Sequence, residues 1–148
     1  MDCIYNKMLY THLLTKVPVL LQDMDDSIPT QLQIDWNYLH LVSNNTYEFE
    51  LELLNTLVEL LPTYLGILKS NFALADLAAI GQTAHCIKGA TASSGIKSMQ
   101  EIAAHIEETA LAENLEGLAP LITDLETAFQ ELQNFVSAEN SDTPKLDA

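Results

Sequence analysis

The chain has 148 residues, 48% of them apolar, with five glycines, five prolines and two cysteines, the composition of one globular domain able to bury a core without disulfides or metal. Twenty-one acidic residues stand against six lysines and no arginine, a formal net charge of −15, which argues against a role on nucleic acid or an anionic membrane. Cys3 and Cys86 are too few for a disulfide framework or a zinc site and suit a reducing compartment, and no signal-like leader or apolar run of about 18 residues is seen, so a cytoplasmic protein is expected.

Residues 1–33 read as a leader, partly ordered or mobile. Ile4, Met8, Leu9, Leu13 and Leu14 hint at a short amphipathic helix, and Pro18 and Pro29 bracket an acidic patch. Helix-start chemistry then appears at Asp35, the expected N-cap of a short helix to about 42, with Ile34 placed to staple against Leu39. After a break at Asn44, Asn45 and Thr46, the three-four spacing of Phe49, Leu53, Leu54, Leu57, Leu60, Leu61, Tyr64, Leu65 and Leu68 predicts a long helix to about 69. Pro62 falls inside it and should kink it.

Asn71 and Phe72 read as the start of a connection, with Asp76 capping a helix to about 92. Ser98 with Glu101 suggests a capping box for the next helix, whose buried face is Met99, Ile102, Ala103, Ile106 and Ala110. A last apolar stripe runs from Leu118 through Leu121, Ile122, Leu125, Ala128, Phe129, Leu132, Phe135 and Val136, with Pro120 tolerated in its first turn. Residues 139–148 carry too little apolar content to pack and read as a disordered tail. The expected fold is all-α: an antiparallel up-down four-helix bundle over 34–138, with a short extra helix at its N-terminal side.

The helix at 76–92 holds the chemistry. Leu77, Ile80, Ala84, Ile87 and Thr91 form its buried face, and His85 lies off that face among Ala78, Gly81, Gln82, Lys88, Gly89 and Ala92. Each glycine in a helix costs about 1 kcal/mol relative to alanine, so Gly81 and Gly89 imply close approach of another backbone. Lys88 and Lys97 are the only cations between Asn71 and Pro144 and suggest a local anion site. His105 sits between Glu101 and Glu108 without metal-ligand spacing, so no metal is expected, and His12 and His40 lack ligand-spaced neighbours.

The stretch AHCIKGATASSGIKSMQEIAAHIEE resembles the histidine-containing phosphotransfer (HPt) domain of two-component phosphorelays, whose signature is AHxLKG followed by a glycine six residues later. The likeness spans about 34–136, with His85, Lys88, Gly89 and Gly95 matching in type and spacing. Ile87 replaces the usual leucine, Ala90 and Thr91 stand where serines are common, and Gly81 is unusual. The resemblance implies that His85 takes a phosphoryl group, most naturally on Nε2, from a receiver aspartate and passes it to another, the partner supplying Mg2+. Lys88, one turn on, would stabilise the phosphoryl oxygens. An acid or amide on the following helix orients the histidine in the family, and Glu107 stands at the matching offset. Partners would be response-regulator receiver domains or a hybrid histidine kinase, docking over Gly81, Gln82, Gly89 and Ala92 with Lys97 nearby. No nucleotide loop or kinase signature is present, so a monomeric carrier without autokinase activity and without a cofactor of its own is expected. A pseudo-HPt adaptor that docks receivers without transfer is the alternative.

Overall fold

The structure, a computed structural model, describes residues 32–142, and the expectations for the leader before 32 and the tail beyond 142 lie outside them. Five helices and no extended strand occur among the described residues: α1 (Trp36–Val42), α2 (Tyr47–Ala73), α3 (Leu77–Ser93), α4 (Lys97–Leu111) and α5 (Leu115–Asp142). Helices α2 to α5 run alternately up and down, and each packs on two neighbours to close a ring: α2 on α3, α3 on α4, α4 on α5, and α5 on α2. This is the antiparallel four-helix bundle expected from the apolar periodicity.

The core follows the predicted stripes. Leu54, Leu57, Leu61, Leu65 and Leu68 of α2 meet Ile80, Ala84 and Ile87 of α3, Met99, Ile102 and Ile106 of α4, and Leu118, Leu125 and Leu132 of α5. Removing a leucine-sized side chain from such a site costs about 2–5 kcal/mol. Phe49 and Leu60, counted into the α2 stripe from sequence, lie on its exposed side instead. By length and hydropathy α2 could cross a membrane, contrary to the sequence expectation, but its leucine face forms part of the core, as a soluble bundle helix requires.

Three helix boundaries differ from the sequence reading. Helix α2 continues to Ala73, so the α2–α3 connection is only Leu74, Ala75 and Asp76, with Asp76 capping α3 through a bond from Ala79 N of 3.2 Å. Helix α5 begins at Leu115 because the Asn114 side chain accepts from Gly117 N at 3.1 Å, an N-cap missed when Pro120 was taken to mark the first turn. Its far end reaches Asp142, past the boundary at 138. Polar ties extend it there, Tyr47 to Glu139 and Asn55 to Asn140, where the sequence reading weighed apolar content alone.

One end of the bundle is closed by α1 and the strand-like residues before it. Gly95 adopts φ +73°, and Gly95 N bonds Ala92 O while Ile96 N bonds Thr91 O, so α3 stops in a Schellman turn. An added Cβ at Gly95 would meet Tyr38 at 3.2 Å and Leu39 at 3.3 Å, so both the backbone and the packing require glycine. Ile34 bridges Ile96, Asp35 N donates to Gly95 O at 2.7 Å, and Gln33 N donates to Ser98 Oγ at 3.2 Å. Ser98 is thus spent on Gln33 and forms no capping box; α4 has no side-chain cap. Asp35 caps α1 as expected, accepting from Tyr38 N at 3.0 Å.

Candidate functional site

The α3–α4 turn sets the register in which the two helices face each other. With Gly95 at the turn, residues on α3 before it lie level with residues a similar distance after it on α4, and His85 thereby comes opposite Glu107. The His85 Nδ1 is 3.0 Å from Glu107 Oε2. Lys88 Nζ reaches the same carboxylate, 3.2 Å from Oε1 and 3.1 Å from Oε2. An ionised carboxylate can only accept, so the imidazole donates its Nδ1–H and Lys88 donates beside it.

The three side chains are partly sheltered, His85 28%, Glu107 22% and Lys88 11% exposed. Shelter of this degree reduces solvent screening, so the charge-assisted bonds hold geometry better than a surface pair would. His85 also stands on the wall of a cavity of about 730 Å³ between α2, α3 and α4, whose other lining includes Tyr64, Ile67, Leu77, Gly81 and Leu111. Leu74 and Leu111 are each 77% exposed at this end of the bundle, leaving apolar surface around the opening.

The outward stripe read from sequence divides in two. Ala78 and Gln82 are exposed and Gly81 and His85 half-buried, but every residue from Ile87 to Ala92 is buried, all the way round the helix. Gly89 and Ala92, read from sequence as docking positions, are thus buried, unlike Ala78 and Gln82. Lys97 lies at the start of α4, half exposed, and pairs with Asp35 at 3.3 Å, about ten residues along the helix from Glu107. Lys88 lies along the helix pair with its ammonium on Glu107, beside His85. Gly81 needs no close approach of another backbone, because a Cβ there would sit 3.8 Å from Ala110 Cβ, an ordinary contact. Its missing side chain leaves the cavity wall open one turn before His85. Cys86, beside the histidine, lines the same cavity.

Among the described residues no group of three or more histidine, cysteine or acidic side chains is placed to hold a metal ion. His105 lies 3.9 Å from Glu108 on the surface. His40 was read as featureless, yet its Nδ1 is 2.5 Å from Oε1 of Glu50, a wholly buried carboxylate that also accepts from Ser43 Oγ at 2.8 Å. The i,i+10 separation of His40 and Glu50 across a helix break carries no periodic signal, which is why sequence reasoning passed over it. Burial alone would push the Glu50 carboxyl up, but the bonds from His40 and Ser43 outweigh it and hold the group below the usual carboxylate range.

A bundle with one sheltered histidine held by a carboxylate and opening on a cavity narrows the comparison to known domains. The family model described as "Hpt domain" matches residues 52–135, more than half of the chain. The chain belongs to the Hpt domain family. It is similar to the crystal structure of the HPT domain from an Hpt sensor hybrid histidine kinase of Shewanella, at 25% identity and a TM-score of 0.58, covering 78% of this chain and 97% of that one. No curated protein matches the chain in sequence. The Hpt assignment gives the chain a histidine phosphotransfer role in a phosphorelay, the role of a phosphotransfer carrier.

Proposed function

We propose that this Hpt domain accepts a phosphoryl group on His85 Nε2 from the aspartyl phosphate of a receiver domain and passes it to the aspartate of another. The observation that carries the reading is the Glu107 carboxylate 3.0 Å from His85 Nδ1. It engages the Nδ1–H, so the lone pair lies on Nε2, and the ring sits at a cavity mouth where a partner can reach it.

In the transfer step the Nε2 lone pair forms the N–P bond while the P–O bond to the partner's aspartate breaks, its electron pair leaving with the carboxylate oxygen. The Nδ1 proton stays on the ring. Positive charge developing on the imidazole is met by Glu107, already in place, so little reorganisation accompanies the step. Divalent metal, where it is needed, belongs to the receiver and not to this chain. Gly81 and Gln82 flank His85 on the accessible part of α3 and form the partner-facing surface with the cavity rim. We place the carrier in the cytoplasm as a monomer that takes its phosphoryl from receivers or a hybrid histidine kinase and does not phosphorylate itself.

Incubation with a panel of phosphorylated receiver domains tests this reading. Label should appear on the wild type and be absent from His85→Ala, with the fold of the variant intact. Label retained by His85→Ala assigns the chemistry elsewhere. A wild type that binds receivers but never takes label favours the adaptor alternative.

A further inference from the structure

We infer that the leader before residue 32 lays over the cavity beside His85 and is locked there by a disulfide between Cys3 and Cys86, so that oxidation shuts the site to a partner. The shutting of the site rests on the reading of His85 as phosphoacceptor; the docking and the disulfide do not. The cavity offers the leader an apolar bed. Tyr64, Ile67, Leu77 and Leu111 line it, Leu74 and Leu111 leave apolar surface exposed around it, and Cys86 shares its wall with the histidine.

Charge, reach and cysteine count together name the occupant. Residues 1–22 carry Lys7 and Lys16 against one acid, Asp2, a basic segment in a chain of formal net charge −15. Glu107 and Glu113 stand on the cavity wall, and opposite charge draws the segment toward them. Ile4, Met8, Leu9, Leu13 and Leu14 give it an apolar side to set against the cavity. The leader joins the bundle at the closed end, where Ile34 bridges Ile96, and Cys86 lies about nine residues back along α3 from Gly95, about 14 Å away. Roughly thirty residues separate Cys3 from Leu32; even at the helical rise they span about 45 Å, enough to cross the cavity and bring Cys3 to Cys86. The sequence holds no third cysteine to compete for either.

A small-molecule disulfide such as oxidised glutathione is the oxidant. The thiolate of one protein cysteine attacks it, forming a mixed disulfide and releasing one glutathione thiolate. The thiolate of the other then attacks the protein sulfur of that mixed disulfide, forms the Cys3–Cys86 bond and releases the second glutathione. Two protein thiols are oxidised, one disulfide is reduced to two thiols, and the two protons pass to the departing glutathione. Disulfides in a reducing compartment are transient and responsive, so the closed form answers oxidation and reduction reopens it.

The test equilibrates the full chain in glutathione buffers of graded redox ratio and reads the disulfide by mass spectrometry of non-reduced peptides. The ratio at half-oxidation gives the effective concentration of one cysteine at the other, on the order of millimolar for a flexible tether alone. The comparison is Leu9→Asp/Leu13→Asp, which keeps the tether and spoils the apolar side. Wild type is expected to exceed it by at least about tenfold, since two leucines lose their burial in the variant. Label transfer from a phosphorylated receiver should slow at least about tenfold on oxidation, as the accessible fraction falls, and recover on reduction. In Cys3→Ser it should ignore the redox ratio.

Equal effective concentrations in wild type and the leucine variant overturn the docking. So does a disulfide that joins two copies of the chain, or none at all. Transfer that proceeds unslowed with the disulfide formed overturns the shutting of the site. The disulfide equilibrium does not depend on the phosphoacceptor reading. If His85→Ala still took label, that reading would fail while the glutathione titration alone would still decide whether the leader docks.

Discussion

Among the described residues two histidines are held through Nδ1 within hydrogen-bond distance of a glutamate, His40 at the closed end of the bundle and His85 nearer the other, and only one of them is equipped for transfer. At the closed end His40 Nδ1 meets Glu50, whose carboxylate is fully buried between α1 and α2. At the open end His85 Nδ1 meets Glu107, which also carries Lys88, on the wall of a large cavity. The pairing orients an imidazole in both places. What differs is the surroundings: His40 ties a short helix to the bundle and satisfies a buried charge, whereas His85 faces open space into which another molecule fits. A histidine held by an acid is therefore a common structural device, and a site requires access and a held carboxylate besides.

Exchanging alanine for each histidine breaks the comparison most strongly. His85→Ala should abolish phosphoryl acceptance, and because its side chain is partly exposed and Lys88 remains on Glu107, the thermal melt should change little. His40→Ala should do the opposite. It withdraws a donor from a buried carboxylate whose Oε2 already lacks a partner, so unfolding free energy by denaturant titration should fall by about 1–3 kcal/mol while label uptake persists. Loss of uptake in both variants would remove the distinction between the two ends.

Acid sharpens the same contrast. The Glu50 carboxyl is held below its ordinary value in the folded chain, so it contributes stability that is complete above the unfolded carboxyl's titration and is lost as pH falls through the lower, folded value. Stability should decline below about pH 5, and Glu50→Gln should flatten that part of the profile. A profile of unchanged steepness in Glu50→Gln would place the acid sensitivity in other carboxylates.

The smallest expected effect concerns Gly81. An alanine there fits, with its Cβ 3.8 Å from Ala110, and the gain in helix propensity should stabilise the bundle by up to about 1 kcal/mol. The added methyl protrudes at the cavity wall beside His85, so receiver affinity measured by calorimetry should fall by a few-fold. Stabilisation with unchanged affinity would mean that the partner does not use this part of the wall.

Much of this was legible in the residues because it depends on local order. The apolar stripes of α2 to α5 are periodic, Asp35 and Asp76 are short polar side chains at helix starts, and Gly95 stands where α3 must reverse. The level of Glu107 opposite His85 followed from an antiparallel hairpin about that turn. What the sequence did not carry depends on how whole helices sit together. The enclosure of Gly89 and Ala92 comes from burial all round α3 near the closed end, which a single-helix stripe cannot express. The swing of Lys88 onto Glu107, the cavity at the open end and the buried Glu50 are products of tertiary juxtaposition. Ser98 illustrates the reverse error, a side chain with the right spacing for a cap that a residue far upstream, Gln33, claims first.

The central claim is that Glu107 holds the Nδ1–H of His85 and leaves Nε2 to take the phosphoryl group. The most direct test is phosphorus–nitrogen coupling in the NMR spectrum of the protein labelled with 15N-histidine and phosphorylated by a receiver. The account predicts phosphorus bonded to Nε2 of His85, with His12, His40 and His105 unmodified. Phosphorus on Nδ1 of His85, or on any of the other three histidines, would contradict it.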